Sequence, residues 1–235
     1  MKYCLICSRP LNFGDTWFSF VFPKYHPLLC EECQGRLELI HGEVCAKCGR
    51  PMESIHHAYK RGTTCLDCHT WQEHGDVLAC NRSVYVYNEF MKEMIALFKF
   101  RGDVLLAEAF SAPFQAAYKE YFSSYAVMPI PLSRARHHER GFNQAHVLAN
   151  LLQVPVHTNV LIRTHTEKQS KKTRYERIMS VSPFSISSAS LPCERIVLID
   201  DVYTTGTTVR QAAKLLYSKG ALQVASLTLV RSTGE

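Results

Sequence analysis

Two sets of residues in this 235-residue chain have the types and spacing to do chemistry. The first is eight cysteines in four Cys-x-x-Cys pairs: Cys4/Cys7, Cys30/Cys33, Cys45/Cys48 and Cys65/Cys68. Two cysteines separated by two residues fold back and aim both sulfurs at one ion. Four thiolates from two such knuckles close a tetrahedral zinc shell with no open position, so the metal serves folding rather than catalysis. Gly49, directly after Cys48, permits the positive φ that follows the ligand. The second set is Asp200, Asp201, Val202, Tyr203, Thr204, Thr205, Gly206, Thr207 and Thr208. Apolar residues 195–199 before it predict a strand, and 209–219 after it a helix with Gly220 at the C′ position. Two carboxylates at a strand's carboxyl edge can accept hydrogen bonds from neighbouring sugar hydroxyls, or order Mg²⁺ through water. A hydroxyl-rich turn entering a helix N-terminus, where N–H groups are unpaired, suits a phosphate. Phosphate, diol and metal side by side describe a ribose 5-phosphate.

The cysteine pairs admit two arrangements. Sequential pairing, 4/7 with 30/33 and 45/48 with 65/68, gives two zinc ribbons that each close locally at low loop entropy. Interleaved pairing gives one cross-braced module. Sequential pairing is expected, with about two zinc ions per chain. No repeat stands out beyond the cysteine pairs themselves. Met1-Lys2-Tyr3-Cys4 leads into no apolar h-region of a secretory signal, and no apolar run approaches the ~18 residues of a membrane helix. A cytoplasmic protein without membrane insertion is expected, where thiols stay reduced and paired cysteines hold metal. Cys80 and Cys193 read as semi-buried thiols, and His56, His57, His69 and His74 as bystanders.

These residues need elements to position them. Nine of ten cysteines fall in 1–80, where 8 basic side chains face 9 acidic ones; 81–235 carries 19 and 12. A jump in cysteine use and charge at one point divides the chain into a cysteine-rich module, 1–80, and a second domain, 81–235. In that domain 83–87 reads as a strand, and Asn88 caps a helix with Phe90, Met91, Met94, Ile95 and Phe98 at helical spacing. A glycine turn at 99–103 leads to a second helical stretch to Phe122, interrupted at Pro113. A short buried strand at 126–131, an Arg-rich loop, a helix over 143–152 and an extended piece at 156–162 follow. Residues 164–190, basic and then Ser-rich, read as a mobile loop. Strand, helix, strand from 195 to 230 is a βαβ crossover, so the fold class is α/β with a parallel sheet.

Residues 196–208 resemble the 13-residue motif that binds 5-phosphoribosyl 1-diphosphate (PRPP) in type I phosphoribosyltransferases, with Tyr203 bulkier than the usual aliphatic residue. Together with Lys99-Phe-Arg-Gly-Asp103, the run from Pro129 through Arg140-Gly-Phe-Asn-Gln144, and the cysteine knuckles, the whole chain resembles the ComF family. One departure is Ser180, where the family has Asn three residues after the arginine at Arg177. The resemblance implies a type I phosphoribosyltransferase fold behind a small zinc-ribbon module. It also implies PRPP bound with Mg²⁺ at Asp200, Asp201, Thr204, Thr205, Gly206, Thr207 and Thr208. Pyrophosphate would meet 131–141 through Arg134, Arg136 and Arg140, whose forked guanidinium groups suit its oxygens, with Lys99 also reaching the phosphates. Thr204 stands where purine phosphoribosyltransferases place an Asp base, which disfavours purine salvage.

From Arg134 to Arg177 nine basic residues face three acids. Lys168, Lys171, Lys172, Arg174 and Arg177 can neutralise phosphates of single-stranded DNA, with Phe142 and Tyr175 available for stacking. The resemblance implies a cytoplasmic part in natural transformation: handling incoming single-stranded DNA with a ComFA-type helicase. The other reading is an active phosphoribosyltransferase on an unidentified acceptor, with no direct DNA role.

Overall fold

The computed structural model describes residues 2–11, 28–100, 104–163, 183–188 and 190–232. The chain opens on two ribbons of one design. In the first, β1 (Lys2–Tyr3) pairs antiparallel with β2 (Pro10–Leu11) around the Cys4/Cys7 knuckle, and Cys30 sits at the N-cap of α1 (Glu31–Gly35). The second places Cys45/Cys48 beside a hairpin of β3 (Lys60–Arg61) and β4 (Thr64–Cys65), and Cys65 begins α2 (Leu66–Glu73). The linker between the ribbons runs along the edge of the main sheet, where Ile40 N–H donates to Val84 and Val86 N–H to Glu38.

That sheet starts at β5 (Asn81–Val86). Asn88 then caps α3 (Glu89–Phe100), its side-chain oxygen accepting the Met91 N–H at 2.8 Å. A 3₁₀ turn (Val104–Phe110) leads straight into α4 (Ser111–Phe122). Pro113 does not interrupt that helix, because it lies in the first turn, where its missing N–H has no partner to lose. After β6 (Ala126–Pro129) the expected Arg-rich loop is in fact a short helix, α5 (Arg134–Arg140). Ser133 caps its start and Gly141, at φ 77°, ends it. Next comes α6 (Gln144–Leu151), whose cap Asn143 also donates to the Ile130 carbonyl. The extended piece expected at 156–162 is a single bridge from Val156 to Val127, then β7 (Leu161–Arg163), antiparallel to β8 (Phe184–Ile186). The glycine turn at 101–103 and the basic residues 164–182 lie outside the described residues.

The closing unit is β9 (Arg195–Tyr203), α7 (Thr207–Ser218) and β10 (Gln223–Arg231). β9 continues four residues beyond the apolar run, carrying both aspartates inside the strand. α7 ends with Gly220 N–H bonded to Tyr217 O and Ala221 N–H to Leu216 O, the paired bonds that a left-handed C′ glycine permits. The order β5-β10-β9-β6 is parallel throughout, confirming an α/β fold.

Two cores cover the sheet. Val197, Ile199, Leu227 and Leu229 pack with Phe90, Met94, Phe98, Phe110 and Phe114. Ile196, Leu198 and Val224 pack with Val209, Ala213 and Leu216. Alternation along β9 sends successive side chains to opposite faces. Each core takes in one cysteine group: Cys4 and Cys33 join the first, and Cys45, Cys48, Cys65 and Cys68 the second.

Candidate functional site

The eight paired cysteines come together as two groups, Cys4/Cys7/Cys30/Cys33 and Cys45/Cys48/Cys65/Cys68, each with sulfurs within 4.8 Å of one another. Grouping is sequential, and none of these cysteines is in a disulfide. Sγ–Sγ separations are 3.6 Å for Cys7/Cys30 and 3.7 Å for Cys48/Cys65. A tetrahedral ion with ~2.3 Å metal–sulfur bonds requires edges of about 3.8 Å, so the groups fit zinc. Two zinc ions could be held. Burial raises the Cys4 thiol, but the backbone amides of Cys7, Cys30 and Ile6 outweigh it and bring it down to about 6. Cys48 is held far below the usual thiol range by hydrogen bonds from Cys45, Cys65 and Cys68, then by the charge of Arg231.

The two knuckles share bonds as well as ligands. Ser8 N–H donates to Cys4 O at 3.0 Å and Cys4 N–H to Arg9 O at 2.8 Å; Gly49 to Cys45 and Cys45 to Arg50 measure 2.9 and 2.8 Å. Ser8 and Gly49 both have positive φ, 56° and 69°. Arg9 pairs with Glu32, and Arg50 with Asp67 at 3.2 Å. A repeat therefore does extend beyond the cysteines: Cys-x-x-Cys-Ser/Gly-Arg-Pro, then an acid two residues after the third cysteine. Ser8-Arg9-Pro10 beside Gly49-Arg50-Pro51 was its signal. Cys193 is exposed, not semi-buried, and Cys80 is half-buried with its thiol raised by burial.

The carboxyl ends of β6 and β9 face a cavity of about 370 Å³. Lys99, Arg136, Arg140, Asp200, Asp201, Thr204 and Thr208 line it, drawn from three separate stretches of sequence. Arg136 and Arg140 are four residues apart on α5 and share a face; Arg134, two residues before Arg136, falls off that face and is exposed outside the cavity. Lys99, in the last turn of α3, reaches Asp201 Oδ2 at 2.7 Å. The other Asp201 oxygen accepts the Val202 N–H at 2.8 Å, and Asp200 Oδ1 accepts the Asp201 N–H at 3.0 Å. Burial, then the adjacent Asp201 charge, pushes the Asp200 carboxyl up to about 7. Of the remaining loop residues, Thr205 Oγ1 lies 2.9 Å from Thr207 Oγ1 and accepts the Thr207 N–H at 3.4 Å, and Thr205 is not among the residues that line the cavity. Gly206 and Thr207 line a small hollow beside it at the start of α7.

Arg163 also lines the cavity, from β7. The sequence had placed it only in the broad basic stretch. Burial lowers its guanidinium, and the neighbouring charges of Arg136 and Arg140 add to that, while Asp200 opposes. Three guanidinium groups converging on one cavity repel one another until an anion joins them. The lining also includes the apolar side chains Ile95, Ile130, Leu132 and Val202.

This arrangement has relatives. Residues 138–234 match the phosphoribosyl transferase domain family. Competence protein ComFC of Bacillus subtilis (strain 168) is 41% identical, over 97% of this chain and 95% of that protein. The chain belongs to the ComFC family. A second member is Competence protein ComFC of Streptococcus pneumoniae (strain ATCC BAA-255 / R6), 33% identical over 97% of this chain and 99% of its own. DNA utilization protein YhgH of Escherichia coli O6:H1 is 26% identical, with 88% of this chain and 98% of that one covered. Membership of the ComFC family carries an association with competence and a phosphoribosyltransferase domain with Cys4 clusters at its N-terminal side. No helix among the described residues is long and apolar enough to cross a membrane.

Proposed function

We propose that this chain binds PRPP with Mg²⁺ at the carboxyl edge of β9 and acts in natural transformation in the cytoplasm, handling incoming single-stranded DNA beside a ComFA-type helicase. The observation that carries the PRPP half is the single cavity in which Asp200, Asp201, Thr204 and Thr208 meet Lys99, Arg136, Arg140 and Arg163. Asp200 and Asp201 accept the ribose hydroxyls, the loop 204–208 and the first N–H groups of α7 take the 5-phosphate, and the arginines take the pyrophosphate. Mg²⁺ on the pyrophosphate would supply charge neutralisation to the leaving group. Lys99 exchanges Asp201 for a phosphate oxygen as the ligand enters. The competence half is supported by the names of the relatives, and the division into a ribbon module, 1–80, and a transferase domain, 81–235, belongs to the same reading. The basic loop 168–177 is the proposed DNA contact and lies outside the described residues.

A second reading, transfer of the ribosyl group to an acceptor, is favoured by the apolar residues of the cavity lining, Ile95, Ile130, Leu132 and Val202, which would give a flat acceptor a place to sit. Thr204 offers no base there, so the acceptor would be one that needs none.

Calorimetry with Mg²⁺ and PRPP tests the proposal. Asp200→Ala/Asp201→Ala should abolish binding while leaving the circular dichroism spectrum unchanged; an unaltered affinity would refute it. A protonated Asp200 loses acceptor capacity, so affinity should weaken as pH falls through about 7. For the unliganded fold the sign reverses. A carboxyl whose folded value lies above its unfolded ~3.9 favours the folded state at low pH and loses that contribution as pH rises through about 7.

A further inference from the structure

Arg210, on α7, is buried and holds four partners at once. Its Nε and Nη2 donate to both oxygens of Asp76 at 2.9 and 3.3 Å, its Nη1 to the Tyr203 hydroxyl at 2.6 Å, and the same nitrogen to the Thr205 carbonyl at 3.4 Å. The guanidinium also stacks 4.5 Å from the Trp71 ring, on the helix that Cys65 begins. On the other side of Tyr203, Arg231 stacks at 4.8 Å and bonds the Tyr203 carbonyl at 3.3 Å. It reaches the Cys48 carbonyl at 3.2 Å and the Cys48 sulfur at 3.5 Å. Gly206 lies flat on the Tyr203–Arg210 bond at φ 76°, and a Cβ there would overlap both the hydroxyl and the guanidinium. The shape of the phosphate loop is therefore moulded on two side chains that are themselves moulded on the second cysteine group.

We propose that Tyr203 and Arg210 are positioning residues that couple the phosphate loop to the metal in the Cys45/Cys48/Cys65/Cys68 centre, so that the loop takes its ligand-binding shape only while that centre is closed. This rests on the ribose-phosphate reading of the site. Loss of the metal frees Cys48 and α2, releases Arg231 and Trp71, and leaves the Tyr203–Arg210 pair without its backing. The bulky Tyr203, where an aliphatic residue is usual, is the side chain long enough to span both arginines. The coupling is confined to the half of the cavity that α7 builds; Arg136, Arg140 and Arg163 stand on other elements.

The test compares wild type, Tyr203→Phe and Arg210→Lys, all zinc-loaded, with ribose 5-phosphate and magnesium pyrophosphate as separate probes. Removing one hydrogen bond should weaken ribose 5-phosphate about fivefold in Tyr203→Phe and more in Arg210→Lys, with pyrophosphate changed less than about twofold. Amide exchange over 204–208 should quicken in Tyr203→Phe, and also in wild type stripped of its second zinc, but not in Cys7→Ser, which opens only the first centre. Tyr203→Phe with wild-type ribose 5-phosphate affinity and wild-type exchange would overturn the coupling, as would equal loss of both probes. Should wild type bind neither probe, the proposed function falls, and the exchange comparison alone decides the coupling.

Discussion

The same knuckle is used twice in this chain and to different ends. In the first centre Cys7 is exposed and Cys30 half-buried, and the supporting Arg9–Glu32 pair is open to water, 62% and 60% exposed. In the second all four cysteines are at most 1% exposed, and they share a core with Ile196, Leu198 and Tyr203 of β9 and Val209 of α7. Local sequence sets the fold of a knuckle; what it packs against decides whether it is a clip on the surface or a part of the site. The difference teaches that donor sets of equal chemistry can have unequal reach.

The largest effect that separates them is removal of a ligand. A structural zinc contributes ~10–16 kcal/mol in isolated fingers, as much as a whole domain's stability. Cys65→Ser should thus lower the melting midpoint of the sheet strongly, whereas Cys7→Ser should leave it near the wild-type value and bind about one zinc. Equal melting behaviour in the two variants would erase the distinction. A chromogenic chelator should likewise draw zinc from wild type in two phases, and Cys7→Ser should lack the fast one.

Next come the ion pairs. Asp76→Ala leaves Arg210 charged and buried, at a cost of about 3–5 kcal/mol by denaturant titration. Glu32→Ala, which breaks the exposed Arg9 pair of the first centre, should leave the midpoint unchanged. A measurable loss from Glu32→Ala would mean that the first centre is held more tightly than its exposure implies.

Smallest are the residues that follow the second cysteine of each knuckle. Gly49→Ala places a side chain at φ 69° with its Cβ 3.0 Å from the Asn81 carbonyl, and should cost about 1–2 kcal/mol. Ser8→Gly relieves the same backbone conformation in open surroundings but adds unfolded-state freedom, so the net change should stay below about 0.5 kcal/mol. Similar costs at the two positions would show that Asn81 is not the reason for the glycine.

Much of this was legible in order along the chain. The cysteine pairs, the Asn88 cap, the Gly220 stop and the loop 200–208 are local signals, each fixed by residues within one turn or knuckle. What escaped was set by distance. Asp76 and Arg210 are 134 residues apart, and nothing near either names its partner. Alternation from 196 to 199 would place Tyr203 against the first core, but the pattern breaks near the aspartates: Val202 packs toward the first core and Tyr203 into the second. The Arg-rich stretch read as a loop because its basic residues hid Ser133 and Gly141, which cap a helix. That helix also carries Arg134 off the face that Arg136 and Arg140 turn to the cavity, while Arg163 arrives from β7, whose partner strand lies more than twenty residues on.

Asn81 carries a consequence for synthesis. Fully buried, it donates to the Cys48 carbonyl at 3.1 Å, and its side-chain oxygen accepts from Ser226 at 2.8 Å and Thr228 at 3.4 Å. Its own N–H closes on Lys47 at 2.6 Å. The first knuckle draws its bonds from residues within the opening stretch, so it can close while the ribosome is still translating the linker. The second gathers its sheath only once β10 has emerged and paired, some 180 residues later at about ten seconds of elongation or more. During that interval the second knuckle stands without the buried bonds that Arg231 makes to Cys48 and Ser226 makes to Asn81. The second centre is thus completed together with the sheet, and the first ahead of it.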